Sequence, residues 1–244
     1  MDTLNATVAF VTGASSGIGE GIAKMLAVEG VKVALVARRQ NELQRVAEEI
    51  RRHGGTALIA PADLRDEQAL RAAVEQTCNT LGPIDILVNS GGIINVSPIH
   101  DIDMQDWDAT MAINLRAPTV LCAAVLPGMR KRKRGYIINI ASEAGVFVYA
   151  GMGAYAISKH ALRVLTELIQ EENQAFGIKA WAICPGFVDT PMAAWASGTN
   201  RDDMLTVEEV VGIVRFLLTQ GKNIKLGPKI LIRTMRNPFS PADE

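Results

Sequence analysis

The chain has 244 residues, 48% of them hydrophobic, enough to bury a large core and, for an α/β sheet protein, a length that usually stays one domain. Twenty-five basic and 26 acidic residues leave a formal net charge of -1, so no global field draws the chain to nucleic acid or to an anionic membrane. Three cysteines, Cys78, Cys122 and Cys184, without Cys-x-x-Cys spacing, read as core residues in a reducing compartment and exclude disulfide and zinc frameworks; with no basic-then-apolar leader and no run near the roughly 18 apolar residues of a membrane span, the expected location is the cytoplasm.

In chain order, the apolar run Thr7 to Val11 is short enough for a buried strand. It leads into Thr12-Gly13-Ala14-Ser15-Ser16-Gly17-Ile18-Gly19, and helical spacing follows at Ile22, Ala23, Leu26 and Ala27. Strand, glycine turn and helix in this order suit a phosphate. Glycines at 13, 17 and 19 let the backbone approach a pyrophosphate, and amides at the helix N-terminus bind its charge. Gly13, Ser15, Ser16, Gly17, Ile18 and Gly19 are therefore the first cofactor candidates. Their Gly-x-x-x-Gly-x-Gly spacing differs from the commoner Gly-x-Gly-x-x-Gly, and a plain tight connection is the alternative. The second strand, Val31 to Val36, ends at Ala37-Arg38-Arg39, where an NAD site places an acid on the ribose 2′-hydroxyl. No acid stands there. Arg38, with Arg39 beside it, can grip a 2′-phosphate through charge-assisted hydrogen bonds, so NADP(H) is expected over NAD(H); solvated loop charges are the alternative.

Helical periodicity from Glu42 to Arg52 stops at His53-Gly54-Gly55, and a third strand, Thr56 to Ala60, precedes Ala62-Asp63-Leu64. Asp63, with Leu64 beside it, can receive an adenine amino group or cap the helix starting near Asp66. The fourth strand, Ile84 to Val88, is apolar apart from Asp85, as a parallel strand requires, and ends in Asn89-Ser90-Gly91-Gly92. Small residues there leave room for a ligand, which adds Asn89 and Gly91 to the cofactor set unless the segment is a plain loop. Asn114 lies among apolar neighbours in the helical segment Asp103 to Arg130. An unpaired buried amide costs about 1–3 kcal/mol, so Asn114 is expected to hold a water or mark a kink, which Pro118 supports by removing a backbone donor. The basic run Arg130 to Arg134 lacks interleaved aromatics and reads as a solvated helix end rather than a nucleic-acid patch.

The fifth strand, Tyr136 to Ile140, is followed by Ser142 and then by a helix carrying Tyr155-Ala156-Ile157-Ser158-Lys159. Residues four apart share a helix face, so the Tyr155 phenol and the Lys159 ammonium enter the same space. A neighbouring cation lowers a tyrosine pKa from about 10 toward working pH, which makes Tyr155 an acid/base candidate; a solvated amphipathic face is the plainer reading of that spacing. The sixth strand, Ile178 to Cys184, ends in Pro185-Gly186-Phe187-Val188-Asp189-Thr190-Pro191 over the same crevice, adding Pro185, Gly186, Val188 and Thr190. Thr190 can bond a cofactor amide, cap the turn before Pro191, or do both. A helix from Val207 to Leu218, a last strand from Lys229 to Ile232 and a polar tail, Arg236 to Glu244, complete the chain. The segment Thr190 to Leu205 forms a small lid, and Tyr149, Met152, Phe187, Met192 and Trp195 are expected to line a compact, partly apolar substrate pocket. Glu143 either touches hydroxylated substrates there or is a solvent-facing or ion-paired carboxylate. His53, His100 and His160 lack metal-ligand spacing, and no metal is expected.

Strands alternating with helices specify one doubly wound Rossmann-type parallel sheet with right-handed crossovers, expected order 3-2-1-4-5-6-7, in a single domain over 1–244. Taken together, Thr12 to Gly19, Asn89 to Gly92, Asn114, Ser142, Tyr155, Lys159 and Pro185-Gly186 resemble the short-chain dehydrogenase/reductase family, over about residues 7 to 232. Two departures are visible. Ser90-Gly91 stands where the family commonly has Asn-Ala, and the end lacks the Asp-Gly-Gly frequent in its acyl-carrier-protein reductases, which weakens a 3-oxoacyl thioester reductase assignment. The resemblance implies that Tyr155 transfers the proton, that Lys159 lowers its pKa and binds the nicotinamide ribose, and that Ser142 orients the substrate oxygen. It further implies that Asn114 holds a water linking Lys159 to solvent. The implied activity is NADP(H)-dependent hydride transfer to or from a small or medium carbonyl or alcohol, in a homotetramer or dimer packed through helices around 103–129 and 152–176. A dinucleotide-binding sensor or scaffold without turnover is the alternative of a different class, and the filled catalytic set argues against it.

Overall fold

The structure is a computed structural model that describes residues 4, 7–196, 199–221 and 223–235; the polar tail read at Arg236 to Glu244 lies outside them. Among these residues the strands are β1 (Val8–Thr12), β2 (Lys32–Val36), β3 (Ala57–Ile59), β4 (Ile86–Asn89), β5 (Gly135–Ile140), β6 (Ile178–Pro185) and β7 (Lys229–Ile232). They form one sheet in the order β3-β2-β1-β4-β5-β6-β7, parallel throughout, as the alternating pattern predicts. Helices α1 (Gly17–Val28), α2 (Gln40–Arg52), α3 (Glu67–Thr80), α4 (Met104–Met111), α5 (Ala117–Arg132), α6 (Gly153–Asn173) and α7 (Val207–Leu218) flank it.

Side chains alternate across a strand, and here both faces are covered, so the strands are apolar at nearly every position. On β1, Val11 joins a core with Ile22 and Leu26 of α1, Leu43 of α2 and Val214 of α7. Its neighbour Phe10 joins the opposite core with Leu70 of α3, Leu121 and Met129 of α5 and Ile169 of α6. Fully burying a side chain of this size contributes about 1.5–3 kcal/mol. Because every strand runs the same way, all seven carboxyl ends meet one rim, and the chain reverses its winding between β1 and β4, where doubly wound sheets open a crevice.

Between α4 and α5 the helix widens into one π-turn, Ala112–Arg116, closed by the Ala117 N–H bonding Ala112 C=O. Proline at 118 has no N–H to offer the Asn114 carbonyl four residues back, which is the kink expected at this place. The whole run Met104–Arg132 is, by length and composition, long and apolar enough to cross a membrane, which the sequence reading did not anticipate; half of its most apolar window is buried inside the protein, as in a core helix.

The basic run closes α5 and also carries an anchor that its local sequence does not show. Arg132 donates to Ile84 C=O at 2.6 Å, and Arg132 and Arg134 lie 3.6 and 3.1 Å from the buried Asp85 carboxylate, which also accepts from Val8 N–H. Arg130 stacks over the Phe176 ring at 4.0 Å. Arg132 and Arg134 thus anchor the run at the amino end of β4 and β5 through Asp85, just before β4, while Arg130, Lys131, Lys133 and Arg134 stay exposed at the end of α5, as a solvated helix end should.

Candidate active site

The turn between β1 and α1 is built on glycine. Gly13 and Gly17 have φ of +66° and +54°, in the left-handed region. A Cβ at Gly13 would sit 2.8 Å from Gly91 N, and one at Gly19 only 2.4 Å from Gly13 O, so the α1 N-terminus presses directly on the turn. Ser16 stands at the N-cap without a side-chain capping bond, which leaves the first amides of α1 open to an anion. Instead, Arg39 Nη2 donates to Ser15 Oγ at 3.1 Å and Ser16 Oγ at 3.0 Å. A backbone cradle that any Cβ would fill, with open amides and two hydroxyls, fits the pyrophosphate of a dinucleotide.

The two arginines divide their positions. Arg39 is tied to the serines, whereas Arg38 is exposed at the rim, and both line the cleft with Ala37. Asp63 lines it too, held by Arg65, whose guanidinium donates to Asp63 Oδ2 at 2.6 Å. That bond, with the Arg38 charge adding to it, lowers the Asp63 carboxyl to about 2. Capping α3 is the work of Asp66, which accepts from Ala69 N–H, so that alternative for Asp63 falls. Ile18, Leu64, Gly91, Pro185, Gly186, Val188 and Thr190 all border the cleft. Thr190 stands at the N-cap before Pro191, but its hydroxyl donates to Val188 C=O rather than capping. Asn89 is the exception. Its amide donates to Asn139 Oδ1 at 2.8 Å and toward Cys122 Sγ, and Asn139 in turn donates to Thr166. Asn89 is 2% exposed and braces β4 to β5 behind the wall, because alternation turns the last residue of β4 away from the cleft that Ser90 and Gly91 border.

At the other end of the cleft, Ser142, Tyr155 and Lys159 come together. Ser142 caps the 3-10 turn Glu143–Gly145, its Oγ accepting from Ala144 N–H at 3.1 Å. Gly145 lets that turn rest on α6, since a Cβ there would lie 2.7 Å from Lys159 O. Lys159 Nζ is 5.7 Å from the Tyr155 ring centre. The electrostatics differ from the expectation that Lys159 lowers the tyrosine pKa. Burial raises Tyr155, the Glu143 charge adds to the rise, and a side-chain hydrogen bond with Ser142 opposes it. Burial also pushes Lys159 down to about 8, so the cation that would favour a phenolate is itself weakened.

Asn114, in the π-turn, is fully buried behind the wall. Its Oδ1 accepts from Ile93 N–H, and its Nδ2 donates to Ile93 C=O and to Ser158 Oγ, which donates to Tyr155 C=O. It thereby ties the loop after β4 to the turn of α6 that carries Tyr155. Gly92 separates it from Lys159: a Cβ there would be 3.2 Å from Asn114 Oδ1 and 3.5 Å from Lys159 Nζ.

On the substrate side, Glu143, Tyr149, Met152, Phe187 and Met192 line the cleft, which encloses about 940 Å³; the Trp195 side chain lies outside the described residues. Glu143 is ion-paired, Oε2 lying 2.8 Å from Arg233 Nε, the plainer of its two readings. Arg233, Thr234 and Met235 also line the cleft, and the sequence reading missed them. The available signal was that β7 is parallel to its neighbours, so the residues after it must arrive at the same rim.

A family model for short chain dehydrogenase matches residues 7–200. An uncharacterized oxidoreductase of Staphylococcus aureus is 33% identical over 226 residues, 93% of this chain and 96% of that protein. Oxidoreductase UcpA of Salmonella typhimurium is 40% identical over 205 residues, 83% and 78% of the two chains. Among solved structures, an alcohol dehydrogenase from the archaeon Thermococcus sibiricus, complexed with 5-hydroxy-NADP, superposes with a TM-score of 0.87 at 25% identity, covering 95% of this chain and 98% of that one. With the glycine cradle at one end of the cleft and the serine, tyrosine and lysine at the other, the chain belongs to the short chain dehydrogenase family of oxidoreductases.

Proposed function

We propose that the chain is an NADP(H)-dependent oxidoreductase that interconverts a small or medium carbonyl compound and its alcohol, with Tyr155 as general acid/base. The observation that carries this reading is the convergence of Ser142, Tyr155 and Lys159 on the cleft whose far end is the glycine cradle. When bound, the dinucleotide supplies the hydride chemistry. Gly13, Gly17 and Gly19 with the open amides of α1 hold its pyrophosphate, and Arg38 with Arg39 receives the 2′-phosphate that no acid at Ala37 repels. Asp63, Leu64 and Gly91 border the adenosine half, and Pro185, Gly186, Val188 and Thr190 the nicotinamide half.

The remaining chemistry belongs to side chains. Ser142 orients the substrate oxygen. Tyr155, kept protonated at neutral pH by burial, donates its phenolic proton to that oxygen in reduction and withdraws it in oxidation. Lys159, held on Ile140 C=O, places a positive charge where the phenolate develops and reaches the nicotinamide ribose. Asn114 fixes both neighbouring elements and backs Lys159 across Gly92, the place for a water that carries protons to the lysine.

A cleft of about 940 Å³ is within the usual range for one ligand site, and a dinucleotide takes much of it, which supports a compact substrate under the single-domain lid at about 190–205. The lid is pinned at both ends by the Val188–Leu205 bridge and the 3.0 Å Arg201–Asp189 pair. Exposed Ile157, Val164 and Leu168 on α6 support association into a homodimer or homotetramer through that helix. The free cysteines support a cytoplasmic, reducing compartment.

The test is a panel of carbonyl compounds of increasing size with NADPH and NADH. Turnover of small ketones and aldehydes with NADPH favoured is the expected result. A clear preference for steroids or long acyl thioesters overturns the pocket reading, and NADPH binding without any turnover favours the sensor alternative.

A further inference from the structure

The wall of the cleft beside Ser142 is ionic. Glu143 follows Ser142 directly, its side chain is 15% exposed, and its Oε2 lies 2.8 Å from Arg233 Nε. Gly186 makes the space for it: a Cβ there would sit 3.4 Å from the carboxyl carbon and 3.5 Å from both oxygens. Tyr149 lies near the same carboxylate, whose charge, after burial, raises its phenol, and the Arg233 guanidinium is held 5.1 Å over the Phe147 ring. The carboxylate charge is felt by Tyr155, so Glu143 is within electrostatic reach of the acid/base.

A carboxylate has two oxygens and about four lone-pair sites. Arg233 takes one through its Nε, and Glu143 itself borders the cleft, so it can accept a further hydrogen bond from a substrate there. An alkyl chain laid against it removes water from an ion and returns no bond. A carboxylate substituent brings a second negative charge against the first. A hydroxyl donor returns the bond that water gave. The rest of the substrate meets apolar Ile94, Met152, Phe187 and Met192.

We propose that Glu143, braced by Arg233, is a specificity-determining residue that selects carbonyl substrates with a hydroxyl on the carbon next to the reacting carbonyl, α-hydroxy ketones and their vicinal diols, over alkyl ketones and keto acids of similar size. Ser142, Glu143 and Tyr155 line the same cleft and the Glu143 charge reaches Tyr155, so a carbonyl oxygen at Ser142 and Tyr155 brings an adjacent hydroxyl within reach of the carboxylate. That hydroxyl enters no bond-breaking step; it is held as a donor while the neighbouring carbonyl reacts. The inference rests on the oxidoreductase reading above.

The experiment compares 1-hydroxy-2-butanone with 2-pentanone, equal in heavy atoms, and with 2-oxobutanoate, using NADPH and the full chain. Wild type is expected to favour the hydroxy ketone in kcat/KM by about tenfold or more, because a site that hydrogen-bonds a hydroxyl discriminates against the analogue lacking it. Glu143→Leu should abolish or reverse the preference, and isosteric Glu143→Gln, which keeps one acceptor, should retain part of it. Calorimetric titration of the NADPH-loaded chain with 1,2-butanediol, a pair in which no hydride can be transferred, should show the diol binding about tenfold more weakly to Glu143→Leu while 2-pentanol is unaffected. Equal use of the two ketones by wild type, or an unchanged preference in both variants, overturns the assignment of Glu143 alone. NADPH binding with no turnover of any of the three overturns the oxidoreductase reading and this inference with it.

Discussion

Lys159 Nζ donates a 2.8 Å hydrogen bond to the carbonyl oxygen of Ile140, so the last residue of β5 holds the ammonium of α6 inside the protein. Burial outweighs that bond and lowers the lysine from 10.5 to about 8. Below about pH 8 folded and unfolded chains are both protonated, and the folded state bears the full cost of a buried charge. Between about pH 8 and 10.5 only the unfolded chain keeps the proton, so this group makes stability rise with pH across that window. Lys159→Met removes the cost, worth about 3 kcal/mol for the drop in pKa less about 1 for the lost bond. The variant should be inactive yet more stable than wild type at pH 7 by about 1–2 kcal/mol in urea unfolding, with the gain fading by pH 10. A gain that persists at pH 10 refutes the buried-charge account.

Tyr155 is raised by burial against the opposing bond from Ser142. A phenol above its ordinary value stays protonated through neutral pH, ready to donate but slow to accept. Carbonyl reduction should therefore be nearly flat from pH 6 to 8, while alcohol oxidation, which needs the phenolate, climbs toward alkaline pH. Tyr155→Phe should cut turnover by about 10²–10⁴ in both directions and leave the NADPH fluorescence titration unchanged. Wild-type turnover in that variant sinks the assignment.

Local patterns carried the sheet order and most of the cleft, because each strand end is marked by small residues and every parallel strand delivers its carboxyl end to the same rim. What could not be read locally depended on partners far along the chain. Asn89 looked like a ligand residue because of its neighbours Gly91 and Gly92, yet its partners are Asn139 and Cys122, on β5 and α5. The basic run is solvated at most of its residues, but the anchoring of Arg132 and Arg134 could not be read locally because Asp85, their counter-charge, lies some 45 to 50 positions earlier. Arg233 was invisible as a partner of Glu143 for the same reason. The Tyr155–Lys159 spacing was legible, but the direction of the tyrosine's shift was not, since burial, which raises it here, is a property of the assembled cleft.

Cofactor choice is set at the end of β2. Ala37→Asp with Arg38→Leu places a carboxylate where the 2′-phosphate is expected and removes the exposed guanidinium, while Arg39 stays on Ser15 and Ser16. One charged hydrogen bond is worth about 1.5–3 kcal/mol, so NADPH affinity should fall about ten- to a hundredfold and the preference should turn to NADH. Steady-state kcat/KM with both cofactors measures it. A wild type that already prefers NADH contradicts the reading of Arg38.

The two glycines Gly19 and Gly212 separate crowding from helix propensity within one protein. At Gly19 an added methyl would lie 2.4 Å from the Gly13 carbonyl oxygen, a backbone atom that cannot swing aside, so α1 must move off the turn. Gly19→Ala should cost about 1–3 kcal/mol and weaken NADPH binding, because the amides of α1 are displaced with the helix. At Gly212, inside α7, an added methyl meets nothing within 4 Å. Gly212→Ala should instead stabilise by about 0.5–1 kcal/mol through the lower backbone entropy of the unfolded chain, with cofactor affinity unchanged. Thermal unfolding and NADPH titration on both variants test the pair, and a tolerated Gly19→Ala with intact NADPH affinity would remove the turn from the cofactor site.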